Sequence, residues 1–395
     1  VKYAVAVSLL LGAHAPATAL DFGKPVTVVE AQAGVFHHLE SSGRSSLAVS
    51  KDTVGIVWED NSSGSPQVYV AFKGKDASRF SKPIQVSDSG PAYEPAITVI
   101  GDTFLIGWEA DDRLWLRAVT HSRRGPVTLL SKARARQITF ATTPQQRAVA
   151  AWSEKDAKSY YIRVATVVLE DISIKIRDNR PVDNSTDRKE QLYPAVAVTQ
   201  KGMVVGWEDR RQGVTRIFTA FAPAGEGFAS YQPLNDFRYL PSRGFGRGTG
   251  AMRVALSSDQ RGRVIAVWLD KRDFEQGYDV YAAYSDDGGR RFGKDEKVQD
   301  PLGDNTPQWH PAVAISRNGV VVAAWDDTRD DQPDIWFSIR NDNQWSEDDV
   351  WPESSGDGAQ TQPMLVFEDD TLHAAWLDRQ KNTGAIRYIA ASHSK

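Results

Sequence analysis

The chain contains no cysteine. Disulfides, thiolate metal sites and cysteine nucleophiles are therefore excluded together. It also lacks a positive surplus: 47 Lys and Arg stand against 51 Asp and Glu, for a formal net charge of −4. No broad basic field is available for nucleic acid or an anionic membrane surface. No apolar run reaches the ~20 residues needed to cross a bilayer, and no stretch keeps a helical period. Several signature spacings are missing: H-E-x-x-H, G-x-S-x-G, the phosphate loop and the calcium loop D-x-[DN]-x-[DN]-G.

What is present begins with a leader-like segment. Lys2 precedes a short apolar run over residues 4–12, and Ala17-Thr18-Ala19 forms an A-x-A cleavage pattern. These features predict a signal peptide over residues 1–19 and a mature chain from Leu20, hence a periplasmic or secreted protein.

Tryptophan is abundant, at 12 residues, and seven of them recur in one context: Trp58, Trp108, Trp152, Trp207, Trp268, Trp325 and Trp376. The steps between them are 50, 44, 55, 61, 57 and 51 residues. Each follows a β-branched run and precedes an acidic turn, as in Val204-Val205-Gly206-Trp207-Glu208-Asp209. That period suits a propeller blade. Each repeat holds four strand-like runs, in the fifth Met252–Leu256, Val264–Trp268, Val280–Tyr284 and Lys297-Val298. Four antiparallel strands repeated radially predict one seven-bladed β-propeller over residues 20–395.

The seventh repeat ends after its third strand. Phe22-Gly23-Lys24-Pro25-Val26-Thr27-Val28 matches the outer strand of the first repeat, Phe80-Ser81-Lys82-Pro83-Ile84-Gln85-Val86. The N-terminal strand is therefore expected to complete the last blade and cover its open edge. The longest insertions fall at residues 178–188 and 231–250, the latter carrying Gly244-Phe245-Gly246-Arg247-Gly248.

Ser285-Asp286-Asp287-Gly288-Gly289-Arg290-Arg291-Phe292 reads S-x-D-x-G-x-x-F. With the repeated W-x-D turns, it resembles the Asp-box, or bacterial neuraminidase repeat, of the sialidase-like superfamily. In that superfamily the box is a folded turn, so Ser285, Asp287, Gly289 and Phe292 are expected to stabilise structure, with Asp287 accepting local amides. Strand order puts the box on the face opposite the W-x-D turns.

We call the face where first strands begin and second strands end the upper face. It should collect an inner ring, Arg44, Glu94, Arg136, Tyr193, Arg253, His310 and Gln362, whose variety suits a polar ligand. A second ring is expected from the turns after each Trp: Asp60, Glu154, Asp209, Asp270, Asp327 and Asp378, with Ala110 in the second repeat. Arg211, Arg272 and Arg329 follow three of these acids and are expected to bridge to the next blade.

The resemblance implies an alternative, an exo-α-sialidase-type glycoside hydrolase. In that reading Arg44, Arg136 and Arg253 would hold a carboxylate. Tyr193 and Glu94 would form the nucleophile pair. The superfamily's Phe-Arg-Ile-Pro motif is absent, Gly43-Arg44-Ser45-Ser46 standing nearest to it, and its sialidases usually have six blades. The principal expectation is thus a non-catalytic binding or scaffold module for a glycan, peptide or protein partner. No metal is expected. His37 and His38 should point to opposite sides of a strand. The acidic runs Asp300–Asn305, Asp326-Asp327 and Asp330-Asp331 offer only a weak Ca²⁺ possibility beside solvated turns.

Overall fold

The computed structural model describes residues 20–39, 43–88, 90–235, 250–272, 277–341, 343–381 and 383–393. The leader-like segment and residues 236–249, including Gly244–Gly248, lie outside the described residues. Seven antiparallel sheets of four or five strands form the propeller. In blade 4 the strands run Gln191–Thr199, Gly202–Asp209, Arg216–Pro223 and Gln232–Pro233, from the axis outward in chain order. The fifth repeat gives Ala251–Ser258, Val264–Asp270, Asp279–Ser285 and Glu296–Lys297. Part of the insertion read as a loop after residue 178 belongs to a nine-residue outer strand, Ser173–Pro181, in blade 3. Among the described residues no helix is long and apolar enough to cross a membrane.

The blades adhere through apolar seams. Every second residue of a central strand faces one neighbouring blade and the alternate residues face the other. Each recurring Trp lies on the side facing the preceding blade. Trp207 joins Val149 and Val164 of blade 3, and Trp152 joins Leu114 and Leu116 of blade 2. Trp58, Trp152, Trp207, Trp268, Trp325 and Trp376 are fully buried, and Trp108 is 3% exposed. Removing an aromatic side chain of this size from water is worth roughly 4–6 kcal/mol in transfer terms.

The last seam closes the circle. Leu20–Phe22 and Val26–Val29 both pair antiparallel with Thr383–His393, which makes the N-terminal segment the outer part of blade 7. Trp58 of blade 1 then packs with Ala375, Ile386 and Tyr388 of that blade.

Candidate functional site

The innermost strand of blades 2 to 7 is interrupted near its start by a register shift. One residue at each shift takes a left-handed conformation: Glu94, Gln137, Tyr193, Arg253, His310 and Gln362, with φ between 49° and 62°. Such bulges re-aim a side chain and release a backbone N–H from the ladder. Here they turn six different side chains toward the upper mouth of the channel.

Five of those released N–H groups are captured by the preceding blade. Glu94 N–H donates to Glu59 Oε2 (3.0 Å), Gln137 to Glu109 Oε1 (2.7 Å) and Tyr193 to Gln137 Oε1 (2.9 Å). Arg253 donates to Glu208 Oε1 (2.9 Å) and Gln362 to Asp326 Oδ1 (3.0 Å). Glu59, Glu109, Glu208 and Asp326 each stand one residue after the recurring Trp. They form an acidic inner ring that the sequence reading missed.

The expected second ring is corrected accordingly. Asp60, Glu154, Asp209, Asp270 and Asp327 share the Trp side of the strand and are at most 8% exposed. Each accepts the indole N–H of its own Trp at 2.7–3.1 Å. Asp378 instead accepts from Gln360 at 3.1 Å. These carboxylates belong to the seams and do not line the mouth.

The arginines after them are seam residues too. Arg211 binds Asp209 at 2.7 Å and lies 3.9 Å over Tyr231. Arg272 binds Asp270 at 2.7 Å and lies over Tyr281, and Arg329 binds Asp327 at 2.7 Å and lies over Trp336. Their outer partners differ from the expected next blade. Arg211 reaches Asp183, which follows the outer strand of the preceding blade, whereas Arg272 reaches Asp295 within its own. Arg329 reaches Asp348 at 2.9 Å and Asp300 at 3.9 Å, so two of the acidic runs considered for Ca²⁺ face a guanidinium.

Two inner-ring assignments also change. The bulge in blade 3 places Gln137, one residue beyond Arg136, at the ring position. Arg136 lies 3.9 Å over Tyr160 and 4.0 Å from Glu190. Blade 1 differs: its inner strand is split into His37–His38 and Leu47–Val49, and Gly43 lies inside the ring. Gly43 reaches the far side of the ring, where a Cβ would stand 2.6 Å from Val254 O and 3.2 Å from Ala195 Cβ. Only glycine fits that approach, and its φ of +93° also favours glycine. Arg44 follows, 5% exposed, bound to Glu94 and 3.9 Å from Glu109. Below it a channel cavity of about 560 Å³ opens toward the lower face.

The three arginines of the sialidase alternative are thus held by different carboxylates: Arg44 by Glu94, Arg136 by Glu190, and Arg253 by Glu208 at 3.7 Å. Tyr193 lies under Arg253, 3.6 Å from ring centroid to guanidinium. Glu94 serves Arg44 and His38. His310 Nδ1 lies 2.7 Å from Asp326 Oδ1. Burial raises the Glu109 carboxyl above its ordinary value; Arg44 opposes this, and Glu94 adds to it. Burial likewise raises Glu208, against Arg253.

Large apolar side chains break the surface on this same face. Phe36 is 43%, Tyr93 41% and Trp309 42% exposed, each beside the start of an inner strand in blades 1, 2 and 6. Leu302 is exposed in the turn leading to Trp309. On the opposite face Ser285–Phe292 is a compact turn. Ser285 Oγ donates to Asp287 Oδ1 and accepts from Gly289 N–H, both at 2.9 Å, and Arg291 N–H donates to Asp287 Oδ1 at 2.9 Å. Phe292 packs against the seam between blades 4 and 5 with Leu256.

No family model and no curated protein matches this chain. Solved structures do superpose on it. The polysaccharide lyase Uly1 aligns with a TM-score of 0.61 at 8% identity, covering 94% of this chain and 99% of its own. A Penicillium chrysogenum α-L-arabinanase complexed with arabinobiose gives 0.53 at 9% identity over 94% and 98%. The GH93 α-L-arabinofuranosidase of Fusarium graminearum gives 0.51 at 11% identity over 75% and 92%. At these identities the likeness is one of fold. What this chain shares with them is the propeller architecture.

Proposed function

We propose that this protein is an exported glycan-binding propeller, a recognition or scaffold module whose ligand lies across the upper mouth. The observation that carries the reading is the exposure of Phe36, Tyr93 and Trp309 around a ring of oriented polar groups. Exposed apolar surface rimmed by polar residues marks an interaction site. Flat aromatic faces suit the C–H faces of sugar rings, and oriented carboxylates and amides suit their hydroxyls. Arg44, Arg136 and Arg253 each have a carboxylate of their own, which favours a neutral, hydroxyl-rich glycan over a sialic acid. The folds it resembles belong to proteins that act on glycans, which supports the ligand class. The test is a glycan array on residues 20–395, followed by calorimetry on any hit. Trp309→Ala and Tyr93→Ala should weaken binding, and an Arg291→Ala change on the lower face should not. Equal binding by all three variants would place the ligand elsewhere.

One observation favours the hydrolase alternative. Glu94 and Glu109 flank the same guanidinium, and burial holds Glu109 toward its protonated form. A carboxyl kept toward its protonated form by burial, with a second carboxyl nearby, is what general acid catalysis at a glycosidic bond requires. Turnover of fluorogenic arabinofuranosides or sialosides, abolished by Glu109→Gln, would replace the binding reading with this one.

A further inference from the structure

His37 and His38 point to opposite sides of their strand. His37 Nδ1 turns inward, 3.4 Å from Asp60 in the seam. His38 turns toward the mouth, where its Nδ1 lies 3.8 Å from Glu59 Oε2 and 3.9 Å from Glu94 Oε1. The three donor atoms lie within 4.8 Å of one another. They come from three strands on two blades, so the cluster is made by the tertiary fold.

The carboxylates are already oriented. Glu94 N–H holds Glu59 Oε2 at 3.0 Å, and Arg44 binds Glu94 through Oε2, which leaves Oε1 on the His38 side. Outer partners of this kind are what fixes carboxylate ligands in metal sites. Glu59 adjoins Glu94 at the mouth, and the buried Arg44 guanidinium faces Glu94 and Glu109. Two carboxylates and one imidazole facing one point give a donor set that a divalent cation would complete.

We propose that His38, Glu59 and Glu94 bind a divalent transition-metal ion, Zn²⁺ or Mn²⁺, at the seam of blades 1 and 2 on the upper face. One imidazole with two carboxylates suits these ions better than Ca²⁺, which prefers oxygen ligands throughout. Metal–ligand distances of about 2.0–2.2 Å require donor atoms about 3.4 Å apart in a tetrahedral site. The two His38 distances need to shorten by about half an ångström, and both His38 and Glu94 keep partly exposed side chains that can rotate. Three protein ligands leave at least one coordination position for water or a ligand group. Exposed Phe36 and Tyr93 neighbour two of these ligands in the chain, so that open position belongs to the proposed binding mouth. The metal site itself does not depend on what the mouth binds.

The experiment uses the mature chain stripped by chelator dialysis and titrated at pH 7.5 with ZnCl₂ and with MnCl₂. Calorimetry reads uptake, and electron paramagnetic resonance of Mn²⁺ reports the ligands. One ion per chain is expected. His38→Ala and Glu94→Gln should each weaken it by at least about 100-fold, the upper end of what losing an outer-shell partner costs. His310→Ala, which removes a histidine paired with a single carboxylate on the same face, should leave uptake unchanged. A thermal melt checks that each variant is folded, and Glu94→Gln keeps an oxygen for Arg44. No uptake of either ion overturns the proposal, and so does equal uptake by wild type and both ligand variants. Since no glycan is present, failure here is distinct from failure of the binding reading.

Discussion

On the second strand of blade 4, Glu208 and Asp209 stand one and two residues after Trp207 and face opposite sides of one sheet. Asp209 is fully buried, accepts the indole N–H and binds Arg211. Close copies of that arrangement recur at Asp270 with Arg272 and Asp327 with Arg329. Glu208 instead caps the bulge of the next blade at the mouth, and its counterparts vary from Glu59 through Ser153 and Leu269 to Leu377. The repeated position makes one kind of contact at five of the seven seams. The varied position sets a different polar environment at each segment of the mouth. In a repeat protein, recurrence marks what holds the units together, and departure from it marks where a ligand can be told apart.

The contrast is sharpest for stability. Trp207→Ala removes a fully buried seam side chain and should cost roughly 3–5 kcal/mol in equilibrium urea unfolding. A loss below 1 kcal/mol would mean that the seams are not the main adhesive. Asp209→Ala leaves Arg211 and the Trp207 N–H short of an acceptor in a buried site. It should cost about 3 kcal/mol, whereas Glu208→Gln at the mouth should cost about 1 kcal/mol or less. Equal losses would erase the distinction between the two positions.

A fourth variant tests the seam electrostatics. Burial pushes the Asp348 carboxyl up to about 6, although Arg329 opposes the shift. The unfolded value is about 3.9, so the fold favours the protonated form. That contribution is complete below about pH 4 and is lost as the pH rises through 6. The stability of wild type relative to Asp348→Asn should therefore fall by roughly 3 kcal/mol between pH 3.5 and 7. A flat difference would place the Asp348 value near that of an ordinary carboxylate. The smallest stability effect is expected at the mouth. Trp309→Ala should shift unfolding by no more than about 0.5 kcal/mol while weakening glycan binding about tenfold or more, as expected for a hot-spot aromatic.

The blade count, the four-strand plan and the closure by residues 22–28 were legible because they depend on period and alternation, which the sequence carries directly. The mouth was only partly legible. Glu94, Tyr193, Arg253, His310 and Gln362 do sit at bulge positions, since each precedes a recognisable first strand. Arg136 falls one residue short of the bulge at Gln137, because the bulge adds a residue that alternation does not announce. The acids two residues after six of the seven Trp share the Trp side of the strand and so face a seam, not the mouth expected from chain order. The variation at the preceding position was the signal that could have corrected this. The approach of His38, Glu59 and Glu94 depends on the split inner strand of blade 1, which interrupts the repeat pattern where that pattern was being read.

The pairing of Leu20–Phe22 with the last strand has a mechanical consequence. Leu20 lies opposite His393, and the register then runs inward through Phe22 and Ala391. A force that separates the termini therefore loads these pairs one after another, from the outermost inward, and peels the strand away instead of shearing all its hydrogen bonds together. Tension across that pairing therefore opens one sheet first, with the other six blades still folded.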